Sequence, residues 1–185
     1  MKRPVAAWLL LVASAAFADR DDFTVEYFTV QGETSLALSA EIEAKGPVGE
    51  NGRHSDGYTR WNMSWTFGMN TDATGCVASS VSVDLDIHMI LPHWDTPPGA
   101  DPRLIARWNR YLAALRGHED GHRQRAEATA GDMRRALLRE RAADCPTLER
   151  RLDSMANQLL SDLRERQAAY DRETDFGRSQ GVHRP

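Results

Sequence analysis

The stretch HEDGH at residues 118–122 combines the side chains of this chain that are best suited to chemistry. On a helix, two histidines four residues apart project from the same face, one turn apart, so that both imidazoles can bind one metal ion. A glutamate beside the first histidine can hold a water molecule and accept its proton. This HExxH spacing predicts a site for Zn²⁺, with His118 and His122 as ligands and Glu119 as the general base.

The alternative is that the spacing arose by chance on a charged helix, and two features of the surrounding helix argue against it. Gly117 and Gly121 each cost about 1 kcal/mol in a helix interior, which favours a substrate or a neighbouring segment close to the helix there. The motif also continues an apolar stripe with steps of three and four residues, and such a stripe faces the protein interior. The stripe contains Trp108, Tyr111, Leu112 and Leu115.

Two long helices are expected to position the motif. A capping aspartate and a proline at 101–102 predict the start of the first helix. The cysteine–proline pair at 145–146 interrupts the helical pattern, and a second helix follows to about Tyr170, so that the two form an antiparallel hairpin. With a bend near residue 145, residues 118–122 lie opposite residues 168–172. The tail that follows the second helix should therefore emerge beside HEDGH.

The first half of the chain is rich in predicted strands. The β-branched and aromatic run 23–30 predicts a strand, and residues 34–47 predict a short helix that a glycine–proline pair ends. Apolar and polar residues alternate over 59–67 and 76–89, which predicts two strands with one buried face each. These elements indicate an α+β fold, with a small, mainly antiparallel sheet packed on a long antiparallel helical hairpin.

The first eighteen residues have the features of a secretory signal peptide: a basic start, an apolar run too short to span a bilayer, and small residues at the end. We expect 1–18 to be removed and 19–185 to form a single periplasmic or secreted domain with no membrane span. In an exported protein Cys76 and Cys145 are expected to form a disulfide, with two free buried thiols as the alternative. The net charge of −4 gives no attraction to nucleic acid, and no nucleic-acid partner is expected.

Several motifs besides HEDGH are shared with a known family. They are YFTVQG at 27–32, TRWNMSW at 59–65, LPHW at 91–94, the spacing from Trp108 to His122, both cysteines, and YDRETDFGRSQG at 170–181. With these motifs the chain resembles the bacterial family of predicted secreted zinc-dependent proteases, a domain of unknown function with an HExxH motif. The resemblance implies a zincin-like metalloprotease domain over 19–185. It also implies hydrolysis of a peptide or protein substrate by a zinc-bound water, with Glu119 as the base.

The tail departs from the family pattern at one position. The family usually has a histidine where this chain has Phe176, and that histidine is a candidate third zinc ligand. Because phenylalanine cannot bind metal, the third ligand is expected to be Asp171 or Asp175, with Glu173 and His183 as further candidates. If none of them substitutes, the alternative is a non-catalytic envelope protein. Its helical hairpin would bind a partner, and its metal site would be structural or degenerate.

Overall fold

The computed structural model of this chain describes residues 21–49, 52 and 54–185. The expected signal peptide, residues 1–18, lies outside the described residues and stays a prediction. In chain order the elements are β1 (Asp21–Val30), α1 (Ser35–Lys45), β2 (Tyr58–Asp72), β3 (Gly75–Trp94), α2 (Pro102–Leu137), β4 (Arg141–Ala142), α3 (Cys145–Glu173) and a short 3₁₀ helix (Arg178–Gln180).

The described strands form one mixed sheet in the order β1–β3–β2. β2 pairs antiparallel along its whole length with β3, which extends beyond it to Trp94, whereas β1 lies on the other side of β3 and runs parallel to it. The parallel pairing is possible because α1 and β2 separate β1 from β3 in the chain, and parallel strands need such a long crossover. The α+β class is confirmed. The parallel position of β1 and the two-residue strand β4, which pairs with the start of β3, were not predicted.

The core lies between the sheet and the two long helices. Alternate residues of β3 are buried against α2 and α3, as the period of two predicted: Val83, Leu85, Ile87 and Met89. The apolar residues of α2 fall into two clusters. Those from Leu104 to Leu115 pack with α1 and the end of β3, and those from Ala126 to Leu137 pack with α3 and the first part of β3. HEDGH falls between the clusters, and His118 and Glu119 are buried there.

α2 and α3 form the predicted antiparallel hairpin. α2 ends at Leu137, earlier than the cysteine–proline pair indicated, because residues 141–142 pair with β3 instead of continuing the helix. α3 then begins at Cys145, where Asp144 caps it by accepting a hydrogen bond from the backbone N–H of Thr147. The two helices therefore run back along each other from this short break.

The disulfide between Cys76 and Cys145 is confirmed, and the alternative of two free thiols is wrong. It links the start of β3 to the start of α3 and closes a long loop. Disulfides persist mainly outside the reducing cytoplasm, so this bond is typical of an extracytoplasmic protein. None of the described helices is long and apolar enough to span a bilayer.

Candidate metal centre

HEDGH occupies the middle of α2 and faces α3, with His118 only 5% exposed. The Nε2 atoms of His118 and His122 approach one oxygen, Oδ1 of Asp171 on α3, at 3.3 and 3.0 Å. These three ligand atoms lie within 4.8 Å of one another, and among the described residues they form the group able to hold a metal ion. In a tetrahedral zinc site with bonds of about 2.0–2.1 Å, ligand atoms lie about 3.3 Å apart. The observed spacing suits an ion of that size.

The hairpin register brings Asp171 to this position. Asp171 lies opposite His118, and Gln167, one turn earlier on α3, lies opposite His122. Residues four apart on a helix share a face, so both α3 side chains point at α2. This is the register predicted from the bend, and the tail does emerge beside HEDGH.

Both histidines are oriented by glutamine side chains. His118 Nδ1 lies 2.9 Å from Oε1 of Gln180, and His122 Nδ1 lies 2.7 Å from Oε1 of Gln167. The amide orientations follow from their other bonds: Gln167 Nε2 donates to the backbone oxygen of His122, and Gln180 Nε2 donates to the Tyr170 hydroxyl. Each glutamine oxygen must therefore accept a hydrogen bond from Nδ1–H of its histidine.

This hydrogen-bond pattern determines which imidazole nitrogen is available to a ligand. A neutral imidazole with its proton on Nδ1 carries a lone pair on Nε2. Both lone pairs then face a carboxylate oxygen of Asp171, an arrangement that is repulsive unless positive charge lies between the three atoms. Support of a ligating histidine through its second ring nitrogen is the usual pattern around protein-bound metals. The donor set of two imidazoles and one carboxylate therefore fits a divalent cation.

The charges of the group also favour a cation. Without a metal ion, the positive charge between these atoms must come from protons on the Nε2 atoms. Burial raises the pKa of Asp171, but hydrogen bonds donated by these Nε2–H groups of His118 and His122 and the charges of the two rings outweigh burial and hold the pKa well below its usual range. Burial lowers the pKa of His122, yet the hydrogen bond to Asp171 and the charges of Glu119 and Asp171 together raise the pKa above its usual range. Positive charge is thus stabilised here, whether protons or a metal ion supply it.

Glu119 lies beside the group in a nearly closed environment. It is 4% exposed, and its Oε2 accepts a hydrogen bond of 2.8 Å from the hydroxyl of Thr59 on β2. Burial raises the pKa of Glu119 and outweighs the charges of the histidines and the Thr59 hydrogen bond, which lower it. Its other oxygen faces Gly57, where a Cβ atom would lie 3.2 Å from Oε1. The start of β2 therefore packs directly on this carboxylate.

The two glycines of the motif region have different surroundings. A Cβ at Gly121 would collide with the hydroxyl of Tyr170, so glycine lets Tyr170 lie directly against α2. The Tyr170 ring stacks on His118 with 4.9 Å between centroids and 17° between planes, and its hydroxyl donates to the His118 backbone oxygen. The prediction of a close neighbouring segment is confirmed at Gly121. At Gly117 a Cβ would meet nothing within 4 Å, so packing gives no reason for that glycine.

The other candidate ligands of the tail lie outside the group. Asp175 is exposed and lies 3.5 Å from Arg178, with a positive φ of 48°. Glu173 and His183 are also exposed. Phe176 has a positive φ of 52°, and its side chain is 63% exposed. Of the four candidates the structure brings Asp171 to the histidines, because it is the one on the face of α3 that packs on α2.

Three residues that hold Glu119 and the two histidines in place were not predicted from the sequence. Thr59 lies on the buried face of its predicted strand among tryptophan and methionine, and a hydroxyl on that face signals a buried polar partner. Gln167 bonds to His122 but lies one residue outside the range 168–172 that the predicted register placed opposite HEDGH. Gln180 could not be found in this way, because it returns to His118 through a turn at Asp175–Gly177, all of whose residues have positive φ.

A cleft of about 1620 Å³ opens over the group. One wall is the start of β2. In the sheet that the described strands form, β2 is an edge strand next to β3. The opposite wall is α3 from Leu160 to Asp171 and the turn that carries Phe176, and α2 forms the floor.

Residues 25–177 match the family described as bacterial protein of unknown function (DUF922). The matched range contains HEDGH, Thr59, Gln167 and Asp171, whereas Gln180 lies beyond it. No curated protein and no solved structure matches the chain. The description of the family assigns neither an activity nor a metal.

Proposed function

The chain belongs to the DUF922 family of bacterial proteins of unknown function, and we propose that it is an exported, zinc-dependent metallopeptidase. The observation that carries the proposal is the convergence of His118 Nε2, His122 Nε2 and Asp171 Oδ1, with both Nδ1–H groups already bonded to glutamine oxygens. Two imidazoles and a carboxylate are a ligand set of catalytic zinc sites, which leave a fourth position for water or substrate. Zinc bound there would act as a Lewis acid and lower the pKa of a coordinated water toward 7.

Glu119 is the proposed general base. Its carboxylate takes the proton of the attacking water and passes it to the nitrogen of the leaving amine. Thr59 holds Oε2 by a hydrogen bond, so that the carboxylate keeps one orientation. Burial raises the pKa of Glu119 from the ordinary glutamate range, and a base is most effective when its pKa lies near the working pH.

The cleft supports an extended peptide as the substrate. An edge strand can bind a peptide through main-chain hydrogen bonds, as an added strand of the sheet. The start of β2 supplies such an edge next to Glu119, with Gly57 allowing close approach to the carboxylate. A peptide paired there would lie between the edge of β2 and the wall formed by α3, across the metal ligands.

The alternative of a non-catalytic envelope protein with a structural or degenerate metal site remains the second outcome of the test. Its main support was the phenylalanine at position 176, which removes one candidate ligand. With Asp171 as the proposed third ligand, metal binding does not require a histidine at position 176. A structural site also gives no reason to bury Glu119 beside the ligands at the cost of removing its carboxylate from water.

The test is zinc content measured beside proteolysis on the purified mature protein. We expect one zinc per chain and cleavage of an unfolded protein substrate that a chelator abolishes and added zinc restores. Asp175→Asn is the matched control, since it removes an exposed tail carboxylate outside the group and should change neither quantity. Full zinc occupancy without chelator-sensitive cleavage of any substrate tried would favour the alternative with a structural site. Absence of zinc binding would contradict the metallopeptidase and favour the alternative with a degenerate site. N-terminal sequencing of exported protein tests removal of residues 1–18.

A further inference from the structure

Asp56 joins three parts of the chain, each of which carries a residue of the site. The hydroxyl of Tyr111, two turns before His118 on α2, donates to Asp56 Oδ2 at 3.0 Å. Arg184 donates from Nε and Nη2 to Asp56 Oδ1 at 3.0 and 2.7 Å. Asp56 itself immediately precedes Gly57, which packs on Glu119. The carboxylate is therefore bonded both to α2 and to the last residues of the chain.

Arg184 anchors the segment that follows α3. Besides its bonds to Asp56, its Nη1 donates to Glu43 on α1 at 2.7 Å. The side chain of Asp56 is 19% exposed and that of Arg184 29%, so this ion pair is partly shielded from solvent. Partly shielded, bidentate arginine–carboxylate pairs have more defined geometry than pairs on an open surface.

The anchored segment contains Gln180, which orients His118. Gln180 lies in a single 3₁₀ turn between two glycines with positive φ, Gly177 and Gly181. The residue is largely exposed, so few apolar contacts hold it. Its place on His118 therefore depends on how the chain on either side of it is fixed. α3 fixes one side, and the buried side chain of Val182 together with the ion pairs of Arg184 fixes the other.

We propose that Arg184 and Asp56 are positioning residues for the metal centre: by holding the segment 177–184 in place they keep Gln180 on Nδ1 of His118 and so set the affinity for the ion. The proposal rests on metal binding by the group of three, which is part of the proposed function, and not on peptidase activity. Loss of the second hydrogen bond of a ligating histidine typically weakens metal binding about 10–100-fold. Loss of Arg184 should reproduce this effect from a distance.

A double-mutant cycle on zinc affinity tests the route through Gln180. Zinc dissociation constants are measured by competition with a chelating dye for the full chain and for Arg184→Gln, Gln180→Ala and the double variant. We expect each single variant to bind zinc about 10–100-fold more weakly, and the double variant to bind no more weakly than Gln180→Ala alone. Additive effects would overturn the proposal, because they would show that Arg184 acts on the site independently of Gln180.

Two control variants separate positioning from general stability. Arg135→Gln removes an ion pair to Asp132 on the exposed face of α2, and its zinc affinity should equal that of the wild type. Asp56→Asn keeps an oxygen that can accept from Tyr111 but loses the charge that holds Arg184, and it should weaken zinc binding as Arg184→Gln does. If Asp56→Asn folds with wild-type zinc affinity, the proposal is wrong.

A readout without metal keeps this proposal distinct from the proposed function. The His118 Nδ1–H proton, identified in NMR spectra by its loss in Gln180→Ala, should exchange faster with water in Arg184→Gln than in the wild type. An unchanged exchange rate would contradict the positioning role. If the wild type binds no zinc, the metallopeptidase proposal fails, while faster exchange in Arg184→Gln would still show that Arg184 holds Gln180 on His118.

Discussion

The ring of Tyr170 occupies the space that a side chain at Gly121 would fill. This close contact between α3 and α2 places the ring flat on His118 and edge-on to His122, with centroids 4.9 Å away in both cases. The guanidinium of Arg125 also lies over the Tyr170 ring, with 3.6 Å from its Cζ to the ring centroid. One glycine therefore determines how closely the second helix approaches both proposed metal ligands.

Gly121→Ala should destabilise the protein although alanine is the better helix former. The added methyl group forces Tyr170 away from α2, and overpacking of this kind costs about 1–3 kcal/mol, more than the gain of about 1 kcal/mol in helix propensity. Zinc affinity should fall as well, because Tyr170 supports His118. The measurements are urea unfolding and zinc titration.

Gly117→Ala is the matched control for this prediction. No atom lies within 4 Å of a Cβ at this position, so only the propensity term remains and the variant should be more stable by up to about 1 kcal/mol. Equal effects of the two substitutions would show that contact with Tyr170 does not decide the outcome at position 121.

Asp171→Asn should weaken zinc binding strongly, whereas Asp175→Asn should not. Asparagine keeps the size of the side chain but removes the negative charge that faces both histidines, and the metal would then be bound by two neutral imidazoles and a neutral amide. Asp175 lies past the end of α3 and pairs with Arg178 instead. Zinc stoichiometry and affinity of the two variants decide between them, and a larger loss for Asp175→Asn would contradict the assigned ligand set.

Helix geometry explains how much of this site could be read from the sequence. The rise and turn of a helix are fixed, so the bend near residue 145 already placed the tail beside HEDGH. The same geometry distinguishes Asp171, which shares a face with Gln167 on α3, from Asp175, which lies in a turn with positive φ. Sequence spacing could not follow the chain through that turn to Gln180. The parallel pairing of β1 with β3 and the pairing of β4 with β3 could not be predicted for a related reason. Both depend on contacts between residues that are distant in sequence.

Replacement of both cysteines by serine should lower stability without changing the metal centre. With a sequence separation of 69 between the cysteines, the chain-entropy account gives a loss of about 4 kcal/mol. The disulfide lies beyond the far end of α2 at Leu137, which is about 28 Å along the helix from His118 at 1.5 Å per residue. Zinc affinity of the folded variant should therefore equal that of the wild type. Urea unfolding and zinc titration check both parts, and a variant as stable as the wild type would contradict the first.

Glu119→Gln should separate metal binding from chemistry. Glutamine preserves the shape of the side chain and can still accept the Thr59 hydrogen bond, but it cannot take a proton from water, and loss of a general base lowers rates about 10²–10⁴-fold. Since Glu119 is not one of the three ligand side chains, zinc content should stay at the wild-type level. The variant should also gain stability, because burial penalises the carboxylate of Glu119 and a neutral amide avoids this penalty. Peptide cleavage, zinc content and urea unfolding are measured on the same preparation.

Zinc-dependent cleavage that persists at the wild-type rate in Glu119→Gln would show that the metal acts with a different base. Loss of zinc together with activity would instead place Glu119 among the groups that hold the ion.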